Sequence, residues 1–226
     1  IKPENLVYGK PGLMNENPMH YCPGCSHGVI HKLIAEVIAE MGMEDKTIGI
    51  SPVGCAVFAY NYLDIDWIEA AHGRAPAIAT AVKRLNPGKM VFTYQGDGDA
   101  YNIGIAESIN AAYRNENITV ITVNNTNFGM TGGQMSVTTM EGQKTSTSTH
   151  GRDCSITGFP MRFPELVASQ FHVAYAARGT VSSPAHINQL KGYIKNAIEA
   201  QMNKEGYSIV EVLSPCPINW NLTPIK

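Results

Sequence analysis

The sequence predicts an α/β protein built on a doubly wound, mostly parallel sheet. Three observations carry that reading. Short apolar or β-branched runs alternate along the chain with helix-spaced segments. One run, residues 118–123, is β-branched throughout, as in strands buried on both faces. A glycine turn, Gly96-Asp97-Gly98, falls where a strand hands over to a helix, the position at which parallel sheets bind ligands.

Each element has its own signal. Residues 1–20 hold Pro3, Pro11, Gly12 and Pro18 and read as an irregular arm. Ser26 is placed to cap a helix that runs to about Met41 and stops at Gly42. Its apolar set, Ile30, Leu33, Ile34, Val37, Ile38 and Met41, has helical spacing. Residues 46–50 form a short apolar strand that runs into Ser51-Pro52-Val53-Gly54-Cys55, and residues 67–71 read as another. Residues 75–85 are helical and end at Asn86-Pro87-Gly88. A strand over 89–94 breaks at the glycine turn, and a helix follows over 99–114. Beyond 118–123, the alternation resumes with a strand over 172–177, a helix near 185–202 and a strand over 208–213. Residues 124–163 break the rhythm: periodicity is lost, and Gly, Thr and Ser dominate. A loop of that length inside a compact domain is usually functional. Thr145-Ser146-Thr147-Ser148-Thr149 within it reads equally as a flexible lid or a subunit contact. All of 1–226 is expected to form a single domain.

Composition narrows the function. Charged residues make up 16% of the chain, against a usual share of about 25%. With 44% hydrophobic residues the chain should fold, and the low charge suggests that a partner covers part of its surface. Lys and Arg total 17 against 19 Asp and Glu, and no basic run exists, which argues against nucleic acid. No apolar run reaches the ~18 residues of a membrane span. The opening Ile1-Lys2-Pro3-Glu4-Asn5 does not read as a secretory leader, so a cytoplasmic setting is expected.

The glycine turn sets a chemical problem. Glycines let backbone approach a bulky anion, and a following helix start favours negative charge. Asp97 is itself negative and wrong for direct phosphate contact. A divalent cation between them removes the conflict, because Mg²⁺ commonly bridges a carboxylate to phosphates. The next parallel strand ends at Asn124-Asn125, 28 residues beyond Asp97, and can supply a second, neutral oxygen. A backbone carbonyl just past it can supply a third.

Five cysteines are present: Cys22, Cys25, Cys55, Cys154 and Cys216. Cys22-Pro23-Gly24-Cys25 alone could be half a zinc site, a redox pair or part of an iron–sulfur site. Val53-Gly54-Cys55 and Ser214-Pro215-Cys216-Pro217 set two more thiols among Gly and Pro. Four thiolates from three segments suit a [4Fe–4S] cluster or a zinc ion. Cys154 is the spare thiol. His27 and His31 lie four apart on the first helix, a pair that is more often structural, although His27 stands two residues beyond Cys25.

Gly-Asp-Gly followed by Asn-Asn resembles the thiamine-diphosphate signature. That resemblance implies that Asp97 and the Asn125 side chain hold Mg²⁺, with the Asn127 carbonyl as third protein ligand. The chain as a whole resembles the β subunit of a 2-oxoacid:ferredoxin oxidoreductase. The matching stretches are Cys22-Pro23-Gly24-Cys25-Ser26-His27-Gly28, Val53-Gly54-Cys55, Ala71-His72-Gly73-Arg74-Ala75-Pro76, Gly96-Asp97-Gly98-Asp99-Ala100, and Asn124-Asn125 through Gly129-Met130-Thr131-Gly132-Gly133-Gln134. The family implies a thiamine-diphosphate-binding fold and a [4Fe–4S] cluster on Cys22, Cys25, Cys55 and Cys216. His27 and Cys55 match positions against the cofactor. Gly96, Asp97, Gly98, Asp99, Asn125, Asn127 and Thr131 match the Mg²⁺-diphosphate pocket. His27 and His72 are candidate catalytic groups, and the roles of His72 and Arg74 are open. The resemblance implies oxidative decarboxylation of a 2-oxoacid with coenzyme A, giving acyl-CoA and CO₂ and passing electrons to ferredoxin. It also implies an α subunit that supplies the activating Glu, together with γ and ferredoxin-like δ subunits.

Two departures stand out. Ser26 replaces a Gly common in relatives, and Met130 stands where pyruvate-specific relatives carry Asn. The second points to a branched-chain 2-oxoacid or 2-oxoglutarate. Arg152, Arg162 and Arg178 are available either for a second substrate carboxylate or for surface ion pairs. The competing readings are a non-oxidative thiamine-dependent decarboxylase with a zinc staple and a non-catalytic, metal-stapled assembly subunit.

Overall fold

Side chains that alternate along each central strand build two apolar layers, one on either face of a sheet. In the computed structural model, which describes residues 2–6 and 9–223, six strands pair in parallel in the order β2-β1-β3-β4-β8-β7. They are β1 Thr47–Pro52, β2 Asp66–Ala70, β3 Met90–Gly96, β4 Thr119–Asn124, β7 Tyr175–Thr180 and β8 Ser208–Leu213. Phe92, Tyr94, Ile121, Val123, Val210 and Val212 pack with α1 (His27–Glu40) and α6 (Pro184–Met202). The intervening Val91, Val120 and Ile209 pack instead with α2 (Ala75–Leu85), α3 (Ile105–Tyr113) and α5 (Phe163–Gln170). The period of two thus delivers one layer of helices to each face. A short antiparallel pair, β5 (Asn127–Phe128) with β6 (Gln134–Met135), and a helical turn, α4 (Cys154–Thr157), lie inside the long loop.

The winding reverses between β1 and β3. The chain leaves β1 toward β2 on one side and leaves β3 toward β4 on the other. The carboxyl ends of these two strands therefore flank a crevice, the general ligand position of open parallel sheets.

Several elements differ from the sequence reading. Ser26 occupies the N-cap of α1, but its φ −83° and ψ −9° are already helical and its side chain caps nothing. The C-terminal stop behaves as expected: Gly42 adopts φ +61° and the Met43 amide returns to the Ile38 carbonyl. The helix expected over 99–114 is divided into a π-helical segment, Gly98–Ile103, and α3. The division falls at Gly104, where a Cβ would come within 2.5 Å of the Gly73 carbonyl oxygen. α5 was not foreseen, and β7 begins three residues later than expected because its register is set by Tyr175 facing Ser208 on β8. The arm is anchored: Leu13 is buried, its carbonyl accepts from the Asp64 amide, and Met14 bridges Leu63. Ile1, Val7 and Tyr8 of that arm lie outside the described residues. No helix is long and apolar enough to cross a membrane among the described residues.

Candidate cofactor site

The crevice is lined by the ends of three adjacent strands. β1 delivers Gly54 and Cys55, β3 delivers Gly96, Asp97, Gly98 and Asp99, and the chain after β4 delivers Asn125, Asn127 and Thr131. His27 and His72 complete the wall, so all the cofactor-binding positions expected from the sequence line one cavity of about 90 Å³.

Asp97 is buried at the end of β3. Its Oδ2 accepts from the Ser136 hydroxyl at 2.7 Å and from the Thr138 hydroxyl, and its Oδ1 accepts from the Asn125 amide at 3.4 Å. Burial pushes its carboxyl up to about 6, against the pull of these donors. The turn after β4 is built by side chains that cap their own backbone. Asn124 Oδ1 accepts from the Thr126 amide, and Asn125 Oδ1 accepts from the Asn127 amide at 3.2 Å. Thr126 is held at φ +63°, an uncommon conformation for a β-branched residue. Thr139 donates to its carbonyl and Gln143 to its hydroxyl, so the long loop holds the strained turn in place. The side-chain Oδ1 of Asn127 is buried without a partner. Asp97, Asn125 and Asn127 all line this cavity, and a buried carboxylate with two asparagines, one of them carrying an unpartnered buried oxygen, offers a hard, oxygen-only donor set that fits a divalent cation such as Mg²⁺. Gly98 must lack a side chain, since a Cβ there would lie 2.5 Å from the Phe128 ring.

The other expected residues are also engaged. Asp99 Oδ1 accepts from the Gly73 amide at 2.6 Å and lies 2.5 Å from His72 Nδ1, and its Oδ2 accepts from Gln95. A carboxylate only accepts, so Nδ1 donates to Asp99 and fixes the orientation of the ring. Arg74 forms an ion pair with Glu107 that ties the start of α2 to α3. The Thr131 hydroxyl donates to Gln134 Oε1. His27 is buried at the start of α1, with Nδ1 2.6 Å from the Tyr94 hydroxyl and its ring stacked on Tyr21. Burial lowers it to about 3, so it is neutral. Arg152 is buried and donates to the carbonyls of Ser136, Val137, Thr139, Thr157 and Gly158. Arg178 pairs with Glu165 and Glu211.

Cys22, Cys25, Cys55 and Cys216 line a second cavity of about 350 Å³. All four are free and partly buried. Gly24 at φ +87° turns the first pair so that the Cys25 amide reaches the Cys22 carbonyl. Burial, and then the neighbouring thiols of Cys216, Cys25 and Cys22, push Cys55 up to about 11. Four thiolates gathered this way need positive charge among them. Among the described residues, no three His, Cys, Asp or Glu side chains form a set able to hold a single metal ion. A thiol-only donor set around a wide cavity fits an iron–sulfur cluster. The two cavities share His27, Cys55, Asn125, Gly129 and Met130 as a common wall.

Sequence reasoning missed Ser136 and Thr138, which stand 39 and 41 residues from the carboxylate they hold. It also missed His20, which lines the thiol cavity with Nδ1 2.6 Å from the Tyr62 hydroxyl, and Asn219 beside Cys216. Tertiary structure brings Ser136, Thr138 and His20 to their partners, while Asn219 meets Cys216 through a local turn.

Residues 52–212 match the family described as thiamine pyrophosphate enzyme, C-terminal TPP binding domain. The chain is 46% identical, over 96% of its length, to the ketoisovalerate oxidoreductase subunit VorA of Methanothermobacter marburgensis, and spans 46% of that protein. It is 35% identical, over 92% of its length, to the 2-oxoglutarate synthase subunit KorB of Archaeoglobus fulgidus, covering 73% of that protein. Among solved structures, the 2-oxoglutarate:ferredoxin oxidoreductase from Magnetococcus marinus, with 2-oxoglutarate, coenzyme A and succinyl-CoA bound, superposes with a TM-score of 0.79 at 27% identity. That match covers 95% of this chain and 70% of that one. The chain thus spans about half the length of the first of these relatives and most of the second. The family match over residues 52–212 takes in the strand ends that carry Cys55, Asp97 and Asn125, and with the identity to the VorA and KorB subunits it shows that the chain belongs to the thiamine-diphosphate-binding subunits of the 2-oxoacid:ferredoxin oxidoreductase family.

Proposed function

We propose that the chain is the β-type subunit of an enzyme that converts a 2-oxoacid and coenzyme A to acyl-CoA and CO₂, with two electrons leaving one at a time to ferredoxin. The observation that carries this reading is the wall shared by the oxygen-lined and thiol-lined cavities. It would set an electron donor beside an electron acceptor. Asp97, Asn125 and Asn127 would hold Mg²⁺ and through it the diphosphate, and Cys22, Cys25, Cys55 and Cys216 would hold a [4Fe–4S] cluster. Bound thiamine diphosphate supplies the carbanion chemistry that releases CO₂, and the cluster supplies one-electron acceptance. Ser136 and Thr138 fix the Asp97 carboxylate toward the cation. His27, held neutral against Tyr94, and His72, oriented by Asp99, present imidazoles to the reacting side.

Neither cavity is lined by an Arg, Lys or Glu among the described residues. Arg152 and Arg178 are committed elsewhere, and Met130 sets an apolar side chain in the shared wall. Both facts favour a branched-chain 2-oxoacid over 2-oxoglutarate, in line with the higher identity to the ketoisovalerate subunit. The carboxylate that activates the aminopyrimidine then belongs to an α subunit, with γ and ferredoxin-like δ subunits completing the complex. The five free thiols suit a reducing cytoplasm. Nothing in the comparisons supports the zinc-stapled decarboxylase or the non-catalytic subunit.

The test is anaerobic purification of the native complex, assay of iron, sulfide and thiamine, and viologen reduction with a panel of 2-oxoacids and coenzyme A. Iron, sulfide and thiamine diphosphate should co-purify, and 2-oxoisovalerate should outpace 2-oxoglutarate and pyruvate. A colourless, zinc-containing complex that releases aldehyde overturns the proposal.

A further inference from the structure

We propose that Asn219 is a positioning residue that sets the sulfur environment of Cys216 and ties it to the wall between the two cavities. The inference rests on the cluster reading above. Asn219 follows Cys216 in a tight turn, closed by the Trp220 amide on the Cys216 carbonyl at 2.9 Å and the Leu222 amide on the Pro217 carbonyl at 2.8 Å. Its side-chain Nδ2 has two hydrogens and two acceptors. One is Cys216 Sγ at 3.2 Å, the other the Gly129 carbonyl at 3.1 Å. The second bond fixes which way the amide faces, because a flipped amide would set its oxygen against the Gly129 carbonyl and the sulfur.

The surroundings are shaped to this side chain. Gly133 sits at φ +79°, and a Cβ there would lie 2.7 Å from Asn219 Cγ. At Gly129 a Cβ would lie 3.5 Å from Cys216 Sγ. Asn219 lines the thiol cavity, while Gly129 lines both cavities.

An N–H donated to a ligand sulfur stabilises negative charge on it. Because reduction adds negative charge to the cluster, the bond favours the reduced form and raises the potential. The Asn219 amide would thereby make electron transfer out of the neighbouring cavity more favourable, while its second bond holds the Gly129–Thr131 wall in register with the sulfur.

The experiment compares the wild-type complex with complexes carrying Asn219→Leu and Asn219→Ala, which both remove the amide donor and add no charge. Iron per complex is assayed first. The ratio of reduced to oxidised cluster is then read by electron paramagnetic resonance, at the poise where the wild-type cluster is half reduced. Full iron content and a drop of about fivefold in that ratio are expected in both variants. An unchanged ratio with full iron overturns the assignment. Loss of iron from both variants also overturns it, because the role would then be only structural. A wild-type complex without iron removes the underlying reading and this inference with it, so the two failures are distinguishable.

Discussion

Asp97 shows how a residue acquires a role from neighbours far away in sequence. A carboxylate at the end of a buried strand is costly when ionised, and burial holds it at about 6 even with its hydrogen-bond donors pulling it down. The Ser136 and Thr138 hydroxyls, both on Oδ2, offset that cost. Removing one donor to a buried charge costs about 1.5–3 kcal/mol. Ser136→Ala is therefore expected to weaken Mg²⁺-dependent thiamine diphosphate binding by about tenfold or more. Titration of the cofactor followed by circular dichroism checks it, and an affinity equal to wild type would count against the role given to Ser136. The aspartate and the two asparagines were legible because strand ends in a parallel sheet gather ligands. The hydroxyls were not, because nothing local distinguishes Ser136 from the other Ser and Thr residues of the same loop.

At the scale of elements, legibility followed local chemistry. Helix α2 matches its expected bounds because Pro76 sits in its first turn and Asn86-Pro87-Gly88 stops it. Strand β8 matches because Ser208–Leu213 is a clean run between Gly206 and Pro215. The failures lie where tertiary contact decides: the break at Gly104 comes from the Gly73 backbone, and the start of β7 from its pairing with β8. The long loop is the sharpest case. It has little periodicity because it is held by a buried guanidinium instead of a regular ladder. Arg152 gathers carbonyls from residues 136–139 and 157–158, which places Ser136 and Thr138 against Asp97. Arg152→Met would leave those buried carbonyls without donors. The expected outcome is faster proteolysis within 136–158 and a lower thermal midpoint, reflecting a loss of about 2–4 kcal/mol. Cleavage as slow as in wild type would show that the loop does not depend on this residue.

At the scale of the whole molecule, folding and the site draw on the same buried polar cluster. Helix α1 carries His31 into the core between helices and sheet, where it is fully buried with Nε2 2.7 Å from the Tyr21 hydroxyl and Nδ1 without a partner. His20, His27, Tyr21, Tyr62 and Tyr94 surround it, and burial lowers it to about 3. Its folded value lies below the ordinary histidine value of about 6.5, so the unfolded chain binds the proton first. The contribution of His31 is therefore fully present above pH 6.5 and is lost as pH falls toward 3. Asp97 acts in the opposite direction. Its raised carboxyl takes up a proton in the folded state first, so its contribution improves as pH falls from about 6 toward the ordinary carboxylate value. Net stability alone would mix the two, and a variant separates them. In urea unfolding between pH 8 and pH 5.5, wild type should lose about 1.4 kcal/mol more than His31→Gln does. Equal losses in the two proteins would mean that His31 takes up its proton in the fold as readily as in the unfolded chain, and that its burial beside the thiol cavity does not hold it neutral.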